Sequence, residues 1–306
     1  MQMQNSRRVR GIALLVFVAG IVSSAAAGDS QRLICVPTLQ EGQKFVYRVR
    51  YKTHKVTRSE SRIATPLAPE EVDGDTGRYV AVEVKKVQGV GSSQRVMMRT
   101  QLLPTDGTPR AGDDGVVEFT LLPDGRTDGL QGFNVLDADE QALWRQWVAQ
   151  FALGWTFPAK GVKPGEKWKT EEPVVGAALA KLVWEKDYEY VRQEACPPSG
   201  EGESGSAPAQ AAGQCAVVVT TSTMKQHGSH DDATPDDYKL HLLKTSGAAQ
   251  GKTDVLTFIS LKTRMLERAN EDSAQILDVV VAKADDSNKA HFNVEASSHA
   301  EVILVQ

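Results

Sequence analysis

Apolar residues recur at every second position through most of this chain, and that period leaves few folds open. In "KFVYRVRYKT", Phe45, Tyr47, Val49 and Tyr51 share one face of an extended strand, while Arg48, Arg50 and Lys52 share the other. "YVAVEVKKV" sets Val80, Val82 and Val84 together. The same alternation runs through "RVMMRTQLL", "GVVEFTLL", "LVWEKDYEYV", "CAVVVTTSTM", "DVLTFISL", "QILDVVVA", "AHFNVE" and "AEVILV". Turn formers separate these runs, among them "PDG" at 123 to 125, "TPDD" at 234 to 237 and "DDSN" at 285 to 288. Strands with one apolar and one polar side belong to antiparallel sheets that bury a single face. The expected fold class is therefore mainly β.

One segment changes period. From Asp137 to about residue 153 the spacing is helical, with Asp137 as cap, Glu140 three residues on as in a capping box, and Gly154 as the stop. Leu143, Trp144, Trp147, Val148 and Phe151 fall on one stripe of that helix. Each large side chain on it gains about 1.5–3 kcal/mol from burial. The sheet's apolar face is the natural cover. Beyond the helix, "FPAKGVKPGEKW" returns the chain to a strand near Trp168, with Pro164 and Gly165 suited to the two centre positions of a turn. The aromatic cluster has two readings: a packing corner, or the wall of a cavity between helix and sheet in which Trp144, Trp147, Phe151 and Trp155 bind a ligand.

The run from "FTLLPDGRTDGLQG" through the aromatic helix to "FPAKGVKPGEKW" resembles a pattern in families of exported bacterial proteins: a strand, a "PDG" turn, a helix, then Pro, Lys, Gly, an acid and Trp. Their architecture is similar to the curved, helix-plugged half-barrels of bacterial lipoprotein carriers. The resemblance covers about fifty residues and implies a large curved antiparallel sheet, or half-barrel, packed against one main helix. It also implies an exported protein but no particular chemistry. This chain departs from many of those proteins in lacking a lipobox Cys.

Export is also expected from the start of the chain. Arg7, Arg8 and Arg10 precede the apolar "GIALLVFVAGIV", and Ala25, Ala26 and Ala27 fit a cleavage site after residue 27. The apolar run is shorter than the ~20 residues of a spanning helix, so no transmembrane segment is expected in the mature chain. That leaves residues 28–306 as one β-rich domain. Three cysteines in an exported chain suggest one disulfide and a remainder. Cys196 and Cys215 bracket an insert, 197–214, too poor in apolar residues to fold alone, and pairing them would tie the flanking strands together; the alternative is a bond from Cys35 to either one. Cys35, in "LICV", reads as a buried thiol.

The reactive motifs are sparse. No Gly-x-Ser-x-Gly, Walker or His-Glu-x-x-His pattern occurs. Gly200, Gly202 and Gly205 match Gly-x-Gly-x-x-Gly but lie in the insert, with neither strand before nor helix after. "HGSHDDATPDDYKLH" gathers His227, His230, Asp231, Asp232, Asp236, Asp237 and His241, residue types that suit zinc, on what reads as a solvated hairpin tip. The carboxylate pairs Asp113/Asp114, Asp137/Asp139 and Asp285/Asp286 read as turns and caps. His54, His291 and His299 lie in or beside strands without a recognisable partner. No catalytic residue, metal or cofactor is expected. The formal net charge is −4, and removing the three leader arginines makes it about −7, without a basic patch; nucleic acid is not an expected partner. Three functions remain: a carrier of an apolar small molecule or lipid, an envelope structural or protein-interaction module, and a hydrolase whose site is assembled from distant residues.

Overall fold

The computed structural model describes Arg32 and residues 37–61, 68–90, 93–104, 115–174, 176–198 and 213–305. The leader, Cys35, Asp113, Asp114 and all but the ends of the 197–214 insert lie outside the described residues.

Eleven strands join in one antiparallel sheet that does not close. They are β1 (Lys44–Ser61), β2 (Glu70–Gln88), β3 (Arg95–Leu103), β4 (Val116–Leu121), β5 (Thr127–Gln131), β6 (Lys167–Pro173), β7 (Leu182–Ala195), β8 (Gln214–Gln226), β9 (Leu243–Ser260), β10 (Leu266–Lys283) and β11 (Ala290–Leu304). Their order across the sheet is β5-β4-β3-β2-β1-β11-β10-β9-β8-β7-β6. Every pair of consecutive strands except β5 and β6 is hydrogen-bonded, and β1 pairs with β11, so first meets last in the middle of the sheet. Only β5 and β6 are left as edges. The chain between them carries helix α1 (Ala138–Phe151), which meets the sheet at β1, β2, β10 and β11.

The helix begins as its sequence dictates, with Asp137 Oδ1 accepting from the Glu140 backbone N–H at 2.8 Å. It ends differently. Instead of a left-handed stop at Gly154, Ala152 stays right-handed and the chain tightens into a 3₁₀ turn, Ala152–Thr156. That turn keeps Leu153, Trp155 and Phe157 directed into the protein, where all three are buried. Leu143, Trp144, Trp147 and Phe151 pack onto the inner face of β1 to β4, against Phe45, Tyr47, Val80, Met98 and Phe119. Pro164 and Gly165 form the expected turn: Gly165 has φ +85°, and Glu166 N donates to Lys163 O at 3.0 Å. Arg32 braces it from outside, donating to both Glu166 oxygens at 2.8 and 3.0 Å.

Along the inner face of the later strands, polarity changes with position. Period-two residues of β7 read Tyr190, Tyr188, Lys186, Trp184, Leu182, and those of β8 read Ala216, Val218, Thr220, Ser222, Met224. The first members join Phe157, Val162 and Trp168 in a second apolar cluster. The last join Leu179, Ala233 and Val279 in a third at the opposite strand ends. Between the two clusters the inner face is polar. The β7 and β8 ends are also tied covalently: Cys196 and Cys215 form the expected disulfide, with Cα atoms 4.9 Å apart. A short helix, α2 (Asp236–Leu240), precedes β9.

Candidate functional site

The middle polar band floors a groove of about 790 Å³ between α1 and the inner face of β6 to β11. Its position follows from length. Fourteen residues of helix span about 21 Å, so α1 and its 3₁₀ extension cover one end of the long strands and leave their middle open to solvent. The helix turns its polar side to the groove, presenting Arg145, Gln146, Ala149 and Gln150.

Register aligns the floor into rows. One row runs Thr170, Lys186, Ser222, Thr253, Ser273, Ser298 across β6, β7, β8, β9, β10 and β11, each residue paired with the next. Five of the six carry hydroxyls. Thr253 Oγ1 donates to Ser273 Oγ at 3.3 Å, and Thr170 Oγ1 lies 3.2 Å from the Tyr188 hydroxyl. The neighbouring row contains Tyr188, Thr220, Val255 and Glu271. Trp184 reaches over the sheet toward Gly251, where a Cβ would stand 2.7 Å from the ring tip, so a bare glycine makes room for the indole.

The charged groups of the groove are matched locally. Glu271 Oε2 accepts from Gln150 Nε2 at 2.6 Å. With its amide oriented to donate, Gln146 places its nitrogen 3.2 and 3.3 Å from the two oxygens of the same carboxylate. Burial lifts the Glu271 pKa above the ordinary carboxylate value, and the two amides and Lys186 only partly offset it. Lys186 is also held back from water. Burial disfavours its ammonium, but Glu172, with which it forms an ion pair, together with Tyr188 and Glu271 outweighs that and raises its pKa. Asp124 pairs with Arg126 at 2.7 Å on the rim, and the Arg145 guanidinium lies 4.8 Å from the Phe133 ring centre.

Of the four aromatics expected to bind a ligand, Trp155 lines the groove and Trp144, Trp147 and Phe151 do not. Those three form a continuous aromatic core. Trp147 stacks on Phe151 at 5.2 Å, Phe151 stacks on Phe45 at 5.7 Å, and Trp144 meets Phe119 edge-on at 5.2 Å. Trp144 Nε1 donates to Thr100 Oγ1 at 3.0 Å, whereas Trp147 Nε1 is buried without a hydrogen-bond partner.

The His-rich segment does not converge on a point. Asp232 accepts from Thr234, Asp236 pairs with Lys239, and His241 Nδ1 contacts the Asp237 carbonyl. His227 instead faces Glu171 at 3.7 Å, with Glu185 beside them and Lys225 competing for Glu185 at 3.9 Å. The strand histidines do have partners, each a carboxylate on the adjacent strand: His54 with Asp73 at 2.9 Å, His291 with Asp278 at 2.9 Å, and His299 with Asp272 at 2.8 Å. The hydrogen bond that His54 donates to Asp73 raises the His54 pKa. His54, Glu71 and Asp73 bring ligand atoms within 4.8 Å of one another on the exposed outer face. The carboxylates Asp137 and Asp285 serve as cap and turn, as expected.

Sequence reasoning missed the groove because its floor residues are the ones that break strand patterning. "SSHA" is polar on both faces through Ser297, Ser298 and His299, which reads as a break between two strands. That run in β11 separated "AHFNVE" from "AEVILV", which are one continuous strand.

No protein-family model matches the chain, and no curated protein matches it. Among solved structures, a candidate lipoprotein from Parabacteroides distasonis covers 90% of this chain and 99% of its own, at 11% identity and a TM-score of 0.29. Ail, the attachment invasion locus protein of Yersinia pestis, solved with the heparin analogue sucrose octasulfate, covers 85% of this chain and 99% of its own, at 6% identity and a TM-score of 0.10. At those scores neither similarity transfers a fold or a function.

Proposed function

We propose that this protein is an exported, non-enzymatic binding or carrier module, one β-rich domain over residues 28–306, whose ligand lies in the groove between the polar side of α1 and the inner face of β6 to β11. The observation that carries the reading is the groove itself: a concave site of about 790 Å³ with a polar floor inside an otherwise apolar sheet. An inward band of hydroxyls adds nothing to core packing, and a sheet built only for stability would continue its apolar rows through the middle. The Cys196–Cys215 bond supports export, because disulfides persist in oxidising compartments. No helix among the described residues is long and apolar enough to cross a membrane.

The apolar ligand suggested by the aromatic helix needs revision in this reading. Trp144, Trp147 and Phe151 are engaged with one another and with the sheet, so the ligand meets hydroxyls, amides and Trp155 instead. Glu271 and Lys186, the groups best placed for proton transfer, are committed to Gln150 and Glu172, which supports binding over catalysis. Purification from the native source, followed by extraction and mass spectrometry, tests the proposal. A co-purifying small molecule in near-equimolar amount is expected. Repeated extraction of nothing, with crosslinks from groove positions to one envelope protein, would replace it with the protein-interaction reading.

A further inference from the structure

We infer that the ligand of this groove is a neutral oligosaccharide, bound along the hydroxyl row from Thr170 to Ser298. The inference rests on the reading that the groove is a binding site and adds what fills it. Three alternatives fit the lining less well. An acyl chain laid over the row would strip water from hydroxyls without replacing its hydrogen bonds, a cost of about 1–3 kcal/mol for each group left unpaired. An anion would have to draw Arg145 from the Phe133 ring, since Lys186 is held by Glu172 and Arg126 by Asp124, and a cation would have to displace the Gln150 amide from Glu271. A peptide strand would seek free backbone groups, but those flooring the groove on β7 to β11 are committed to ladders on both sides, and the open edge of β6 would seat it beside the row and not over it.

A sugar chain suits what remains. Hydroxyls on both partners donate and accept, so they can pair in either direction without a charge. Trp184, two residues from Lys186 along β7 and only half-buried, offers an apolar ring to the C–H face of a pyranose, while Tyr188 on the other side is stacked on Trp168 and brings only its hydroxyl, beside Thr170. Length also agrees. Six strands about 4.8 Å apart give a row of roughly 24 Å, enough for about four or five hexose units.

The test uses the full chain, titrated by calorimetry with neutral gluco- and N-acetylglucosamine oligomers of two to six units, α- and β-linked. Oleate, lysophosphatidylcholine and inorganic phosphate form the comparison arm. At least one oligomer series is expected to bind, with affinity rising to about four or five units and then levelling. The isosteric double variant Thr170→Val/Thr253→Val should weaken that binding by about tenfold while keeping the urea midpoint close to that of the parent. Binding of oleate, lysolipid or phosphate with no oligomer bound would overturn the saccharide assignment and leave the groove as a site. Oligomer binding untouched by the double variant would overturn it as well. A blank in every arm, together with nothing extracted from the native protein, would remove the binding-module reading itself.

Discussion

Replacing Trp147 tests whether the helix is solid core or the wall of a space. The indole is fully buried and touches four aromatic rings, with centroids 6.1 Å away at Tyr47, 6.3 Å at Phe119, 6.2 Å at Trp144 and 5.2 Å at Phe151. A Trp→Ala change at a packed site costs about 3–5 kcal/mol, and the ring contacts place Trp147→Ala at the upper end of that range. Phenylalanine separates packing from polarity. Trp147→Phe loses part of the ring but also removes an indole N–H buried without a partner, a relief of about 1–3 kcal/mol. Trp144→Phe loses the same part of a ring together with the bond to Thr100, and Thr100 keeps its bond to the Val117 carbonyl. Trp144→Phe should therefore cost about 1–3 kcal/mol more than Trp147→Phe. Urea unfolding followed by far-UV circular dichroism measures both, read from midpoints at unchanged slope. A Trp147→Ala cost under about 2 kcal/mol would mean the ring is not packed. Trp147→Phe proving as costly as Trp144→Phe would refute the reasoning about the orphaned N–H.

Changing Cys196 and Cys215 to Ser should lower stability by about 3 kcal/mol, from the freedom regained by a chain crosslinked across 19 residues, and the urea midpoint should match that of the reduced parent. Glu271→Gln tests the buried carboxylate through pH. Its folded pKa lies above the unfolded value, so the native state keeps its proton longer, a stabilisation present below the ordinary carboxylate range and lost as pH rises through the folded pKa. Relative to the parent, the Gln variant should therefore fare worst in acid and improve toward neutral pH; unfolding midpoints across that range would show a flat difference if Glu271 were unperturbed. Gly247→Ala should be among the most damaging single changes, because φ is +136° and the new Cβ would stand 2.1 Å from the Asp278 carbonyl oxygen. A variant with a parental thermal midpoint would show that β9 and β10 separate there at little cost.

How much could be read from the residues depended on whether their pattern was local. Alternation in "KFVYRVRYKT" and "CAVVVTTSTM" determined strands and their buried faces, since a strand's period is a property of its own backbone. The cap at Asp137, the turn at Pro164 and Gly165, and the Cys196–Cys215 bond were legible for the same reason: each joins positions close in sequence or set against each other by one hairpin. β5 was not legible, because "TDGLQ" has no alternation and a single β-branched residue, Thr127, and extends only by pairing with β4. The end of α1 was not legible either, since the 3₁₀ turn is imposed by burying Trp155 and Phe157.

By itself, then, the sequence determined a mainly β chain with one aromatic helix, two strands tied by a disulfide, and a face that must be covered. Tertiary structure alone decided which part of that face stays open. Thr170, Lys186, Ser222, Thr253, Ser273 and Ser298 are scattered over about 130 residues and carry no shared local signal. They become a row only when six strands take their register, because register is set by burial of the neighbouring apolar rows and the polar residues are carried with them.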